Sequence, residues 1–137
     1  ELIGVTPELN LYDKEWPIWT YQEQTPPGKF VFNDGDRRGI AIDSMVTDGC
    51  IISGGQIQHS LLFNNVRVEA RSNIQHSVLL PDVHVGENCI IDKGAMLPNG
   101  TVIGQDLQKD AERYHVTEGG IVLVTPDMLG QTLHFAR

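Results

Sequence analysis

This 137-residue chain lacks long apolar runs and any excess of positive charge. No stretch approaches the ~20 apolar residues of a membrane span, and the first residues lack the basic-then-apolar order of a secretory signal. Ten lysines and arginines stand against eighteen aspartates and glutamates, a formal charge of −8. That balance argues against nucleic acid or an anionic membrane as partner, while leaving room for a local basic pocket. Cysteine is scarce. Cys50 and Cys89 form neither a close pair nor a metal-ligand spacing, so buried thiols are expected rather than a disulfide or a ligand set. Together these absences lead to the expectation of a cytoplasmic protein. There is also no HExxH, no phosphate-cradling glycine loop and no defensible Ser/His/Asp order, and Gly54-Gly55 reads as a corner. No catalytic residue and no metal site is therefore assigned.

What the chain does contain is a repeat. Ile57-Gln58-His59-Ser60-Leu61-Leu62 recurs 17 residues later as Ile74-Gln75-His76-Ser77-Val78-Leu79, and Val66-x-Val68 recurs as Val83-x-Val85. A unit this short, copied in tandem, stacks on itself. Steps of five, six and six residues from Ile57 meet Leu62, Val68, Ile74, Leu79, Val85, Ile91, Met96 and Val102, and backward Ile51, Met45 and Ile40. All are apolar. The pattern is neither helical nor that of one long alternating strand. One inward side chain about every six residues, with three sides per turn, describes an all-β, single-stranded parallel β-helix. Gly54-Gly55, Asn64-Asn65, Pro81-Asp82 and Pro98-Asn99-Gly100 fall between the apolar marks, where corners belong. A β-sandwich with two similar hairpins is the competing reading, but its turns would follow no fixed clock.

Three segments result: an arm over 1–39, the β-helix over 40–104, and a capping unit over 105–137. Prolines and glycines break up the arm, yet Trp16, Pro17, Ile18, Trp19 and Tyr21 make it too apolar for a free linker. These residues either cap the first coil or form an interface with another domain. In the last segment Asp106 is a candidate N-cap for a helix from Leu107 to Tyr114, and Ile121 to Val124 reads as a buried strand stopped by Pro126. On the solenoid, the spacing sets His59, His76 and Lys93 at equivalent places on successive coils. They are either solvated side chains or a small cationic ladder for an anion. As metal ligands the histidines lack a third partner.

A family resemblance runs through nearly the whole chain. Asn10-Leu11-Tyr12-Asp13-x-x-Trp16-Pro17-Ile18-x-Thr20-Tyr21 and Asp43-Ser44-Met45-Val46-x-x-Gly49-Cys50-Ile51-Ile52-Ser53-Gly54 carry its first part. Ser77-Val78-Leu79-Leu80-Pro81-Asp82-Val83, Asp110-Ala111-x-Arg113-Tyr114 and Gly120-Ile121-Val122-Leu123-Val124-Thr125 followed by Met128-Leu129 carry the rest. The sequence resembles the C-terminal part of bacterial ADP-glucose pyrophosphorylase (glucose-1-phosphate adenylyltransferase).

The resemblance implies a left-handed β-helix of hexapeptide-repeat type, an exception to the usual right-handed crossover. It implies a full-length enzyme that converts ATP and glucose 1-phosphate, with magnesium, into ADP-glucose and pyrophosphate for glycogen synthesis. The nucleotide, metal and sugar-phosphate residues of that family lie in an N-terminal catalytic domain, so no cofactor is expected in this fragment and the fragment alone should be inactive. The implied role is regulation and assembly: contacts with the catalytic domain, contacts within a homotetramer, and part of a site for phosphorylated effectors, with Lys93 at a basic position of the family. Two departures stand out. About five residues of the usual pattern are missing between Gly86 and Ile91, and Pro126 and Gly130 stand where relatives often carry basic residues. Two other function classes remain open on the residues alone: a hexapeptide-repeat acyltransferase using a histidine such as His84 on a coenzyme A substrate, and a purely structural β-helix. The first usually extrudes a loop from the solenoid, and none is evident in the sequence.

Overall fold

The computed structural model describes residues 2–17 and 24–131. Strands of two or three residues succeed one another around a triangular coil and pair, in parallel, with the next coil below. The first face stacks Lys29–Val31, Ile51–Ser53, Arg67–Val68, His84–Val85 and Val102–Ile103. The second stacks Ile40–Ile42, Gln56–Gln58, Asn73–Gln75, Cys89–Ile91 and Val122–Val124, with His115–Val116 added antiparallel at its end. The third stacks Met45–Val46, Leu61–Leu62, Val78–Leu79 and Met96–Leu97.

So tight a triangle requires sharp corners, and the backbone turns them through the left-handed region. Asp43, His59, His76 and Gly94 do so at one corner (φ 49°, 49°, 46° and 85°), and Gly49, Asn65, Asp82 and Gly100 at another (81°, 59°, 64° and 75°). Histidine, asparagine and aspartate tolerate this conformation better than other side-chain-bearing residues. The polar residues between the apolar marks are therefore corner formers.

Within the triangle, apolar columns run along the axis. Ile52, Val68, Val85 and Ile103 line the first face, Ile57, Ile74, Ile91 and Val124 the second, and Leu62, Leu79 and Leu97 the third. Each is at most 1% exposed. Burying one such side chain contributes on the order of 1.5–3 kcal/mol against the entropy of ordering it. At the first coil the columns begin with Phe30, Ala41 and Val46, and Phe30 is still 43% exposed.

The expected register holds from Ile57 to Ile91 and slips by one residue beyond each end. Ile40, Met45, Ile51, Met96 and Val102 do not point inward; Ala41, Val46, Ile52, Leu97 and Ile103 occupy the columns instead. The cause is coil length. Ile52 pairs with Val68 sixteen residues on, Ile57 with Ile74 seventeen, and Leu79 with Leu97 eighteen. The short coil loses its residue at Gly54-Gly55, where a Cβ on Gly55 would lie 2.6 Å from Val68 Cγ1. The long coil gains its residue between Ile91 and Leu97. Each change flips the following side chains to the opposite face.

Residues 29–31 already form a solenoid strand, and a short hairpin, Asn33–Asp34 with Arg37–Arg38, leaves the coil before Ile40. The sequence reading missed this excursion, because nothing in the repeat marks it. Arg37 holds it together: its guanidinium pairs with Asp34 at 3.0 Å and covers the Phe32 ring at 4.2 Å.

At the far end Val122–Val124 continues the second face beyond residue 104, and a short helix precedes it. Asp106 accepts hydrogen bonds from the amides of Gln108 and Lys109, and the helix runs over Leu107–Arg113. Asp110, 1% exposed, turns back to the solenoid: its Oδ2 accepts from the Gly104 amide at 2.7 Å, and its Oδ1 accepts from Arg113 at 3.2 Å. Arg113 also donates to the Val102 carbonyl and lies 4.9 Å from the Tyr114 ring, whose phenol is pushed up by burial. Gln131 closes an edge of the third face, its side-chain amide donating to the Met96 carbonyl and accepting from the Met96 amide.

Candidate functional site

Three dipeptides, Asp43-Ser44, His59-Ser60 and His76-Ser77, stack at the corner between the second and third faces. In each, the first side chain points out and the serine turns in. His59 Nδ1 lies 3.0 Å from Asp43 Oδ2, and the His59 and His76 ring centroids are 4.6 Å apart with planes tilted by 45°. Beneath them the serines form a chain. Ser44 Oγ donates to the Ile42 carbonyl and accepts from the Ser60 amide; Ser60 Oγ donates to the Gln58 carbonyl and accepts from the Ser77 amide. Ser60 and Ser77 are 1% and 3% exposed. Their hydroxyls bind coil to coil and are not placed as nucleophiles.

The structure thus brings His59 and His76 together but leaves Lys93 out of the ladder. The left-handed turn that His76 makes falls, in the next coil, on Gly94 (φ 85°) and not on Lys93. Lys93 is the extra residue of the eighteen-residue coil, exposed beside the corner. In its place the column gains Asp43 at the other end, sixteen residues before His59. The sequence carried that signal in the recurring residue-then-serine pair, but only to a reader who let the period change. The two histidines, with Leu61, Ser77 and Val78, line an open groove of 340 Å³ whose other wall is Leu2 and Ile3.

His84 belongs to a different cluster. Glu69 Oε1 accepts from Arg67 Nε at 2.6 Å and lies 3.3 Å from His84 Nε2, which is also 3.4 Å from Gln105 Nε2. A ring nitrogen engaged in this way serves the surface, and His84 does not line the groove. Of the arm residues, Trp16 is 75% exposed and Pro17 is exposed as well; Ile18, Trp19 and Tyr21 lie outside the described residues. Pro126 and Gly130 frame the turn Asp127–Leu129, where Gly130 is left-handed at φ 72°. Both cysteines are buried and free, and burial pushes the Cys89 thiol up to about 12. Among the described residues no group of three or more His, Cys, Asp or Glu side chains converges on a metal-sized position.

A family model described as GlmU-like, C-terminal hexapeptide, matches residues 26–124. The chain belongs to this hexapeptide family. The matched segment takes in the first-face strand Lys29–Val31. Among curated proteins, the glucose-1-phosphate adenylyltransferase of Methylococcus capsulatus is 63% identical over 142 residues, spanning all of this chain and 34% of the relative. That of Nitrosococcus oceani is 59% identical over 142 residues, again all of this chain and 34% of the relative. Glucose-1-phosphate adenylyltransferase 2 of Alkalilimnicola ehrlichii is 59% identical over 139 residues, covering 98% of this chain and 33% of the relative. The chain thus spans about a third of the length of these relatives, and the matching part is C-terminal.

Proposed function

We propose that this chain is the regulatory and oligomerisation domain of a cytoplasmic glucose-1-phosphate adenylyltransferase, which makes ADP-glucose and pyrophosphate from ATP and glucose 1-phosphate. The observation that carries the reading is the end-to-end match, at 63% identity, to the C-terminal part of such an enzyme. The fold suits the role. A parallel β-helix is a rigid rod whose outward positions are free to become contact surfaces, since the core is filled from within. In this reading magnesium and ATP are bound by a preceding catalytic domain, and the full-length protein assembles as a homotetramer.

Phosphorylated small-molecule effectors are assigned to the corner that carries His59 and His76 and to Lys93 beside it. An acidic domain repels anions at long range, so an effector site needs a local cation. Lys93 is the lysine beside this corner, and a lysine ammonium is a compact point charge suited to a phosphate. Asp43, held against His59, moves the weight of anion binding further toward Lys93.

The experiment is activation of the full-length enzyme by fructose 1,6-bisphosphate and its inhibition by AMP, with pyrophosphate release as readout. Lys93→Ala should raise the half-maximal activator concentration about ten- to a hundredfold, the loss of a charge-assisted hydrogen bond, and leave unactivated turnover nearly intact. An unchanged activation curve would remove Lys93 from the site.

A further inference from the structure

Asparagine followed by glycine occurs once in the chain, at Asn99-Gly100. The pair lies on the corner that joins the third face to the first, where Gly49, Asn65, Asp82 and Gly100 succeed one another in the left-handed region. Asn99 is exposed, and a Cβ on Gly100 would meet nothing within 4 Å, so the dipeptide is open to solvent and uncrowded. Such a pair can react with itself. Once the Gly100 amide has lost its proton, its nitrogen attacks Cγ of Asn99. A C–N bond forms, the side-chain nitrogen leaves as ammonia with a proton, and a five-membered succinimide closes. Water then opens the ring at either carbonyl, giving aspartate or isoaspartate, whose main chain runs through the former side chain. No oxidant or reductant takes part. Glycine admits the attack because it has no side chain to crowd the nitrogen.

The fold holds the attacking nitrogen. The Gly100 amide donates to the Pro81 carbonyl of the preceding coil at 3.0 Å, and the Thr101 amide closes the turn on the Pro98 carbonyl at 3.2 Å. The same bond ties the earlier coils, from the Asn65 amide to the Asp48 carbonyl and from the Asp82 amide to that of Asn64. A hydrogen-bonded amide keeps its proton until the bond opens, and attack on Asn99 needs that proton gone. Among the described residues no strand stacks beyond Met96–Leu97 or Val102–Ile103, the two strands this corner joins. A coil with one neighbour there opens more readily than an inner coil with two.

We propose that Asn99 is a deamidation site gated by the opening of the last coil. In the closed coil the site is silent; each opening frees the Gly100 amide for the succinimide route. Isoaspartate lengthens the main chain by a methylene between the buried Leu97 and Ile103, so the altered coil cannot close in its former register. The inference stands on the coil geometry and holds whatever reaction the full-length protein catalyses.

The test incubates the full-length protein at mildly alkaline pH, folded and in urea. Peptide mapping and labelling by a protein-isoaspartate methyltransferase measure the products at position 99, while hydrogen exchange follows the Gly100 amide. Deamidation of the folded protein should run at least about tenfold slower than in urea, with isoaspartate among the products. Asn64, followed by the side-chain-bearing Asn65, should stay intact in the folded protein. Leu97→Val, a mild truncation beneath the corner, should speed exchange at Gly100 and deamidation at Asn99 by the same factor. If that variant fails to fold, urea below the unfolding midpoint opens the coil of the unaltered protein and gives the same comparison. Equal rates in folded and unfolded protein would overturn the gate, as would faster exchange at Gly100 with unchanged deamidation. Aspartate without isoaspartate would defeat the succinimide route.

Discussion

Leu97 and Met96 are neighbours on one strand, and truncating each should have very different consequences. Leu97 is fully buried beneath Leu79, whereas Met96 points outward and is 48% exposed. Leu97→Ala removes three buried carbon atoms and leaves a void in a column that strands above and around it cannot collapse to fill. The expected cost is about 2–5 kcal/mol, a large fraction of the ~5–15 kcal/mol that holds a domain together. Met96→Ala should cost about 0.5 kcal/mol, since Gln131 bonds only to the Met96 backbone. Urea unfolding followed by circular dichroism separates them. With a slope of ~1–3 kcal/mol per molar urea, Leu97→Ala should lower the midpoint by about 1–3 M while Met96→Ala moves it by a few tenths. Equal shifts, or a larger one at Met96, would refute the eighteen-residue last coil and restore the uniform spacing.

Gly39→Ala should also destabilise, because a Cβ there would lie 2.6 Å from the Ile52 carbonyl oxygen and 2.7 Å from that of Val31. Both are backbone atoms that cannot rotate away, so a loss of about 1–3 kcal/mol is expected in thermal melts. Asp110→Ala leaves the Gly104 amide without its acceptor; about 1–3 kcal/mol should be lost, and hydrogen exchange over Leu107–Arg113 should accelerate first. Burial raises the Cys89 thiol from 9.0 to about 12 in the folded chain. The folded state therefore holds a proton that the unfolded state releases, so the stabilisation is complete below about pH 9 and is lost as pH rises toward 12. Unfolding free energies measured across that window should fall, and Cys89→Ser should flatten the fall; an identical slope in the variant would place the effect elsewhere.

The β-helix was legible because its period survives in residues such as Ile57, Leu62, Val68 and Ile74, which no helix or hairpin would space in this way. The helix over Leu107–Arg113 was legible too, since Asp106 carries a local N-cap signal. The end registers were not. Ile51-Ile52, Met45-Val46, Met96-Leu97 and Val102-Ile103 are apolar on both sides of the strand, so an apolarity test passes in either register and cannot detect a coil of sixteen or eighteen residues. At the corner, His59 and His76 were found by their spacing, whereas Asp43 sits one residue off the clock and Lys93 on it. Geometry reverses their roles, because the corner conformation follows the backbone turn and not the residue count.

Pyrophosphate release from ATP, magnesium and glucose 1-phosphate, measured in parallel for the 137-residue chain and for the full-length protein that carries it, tests most directly whether this β-helix is the non-catalytic part of an adenylyltransferase. The full-length protein should form ADP-glucose and pyrophosphate in equal amounts, and the chain alone should not exceed a boiled control. Turnover by the isolated chain, or a folded full-length protein that makes no ADP-glucose, would contradict it.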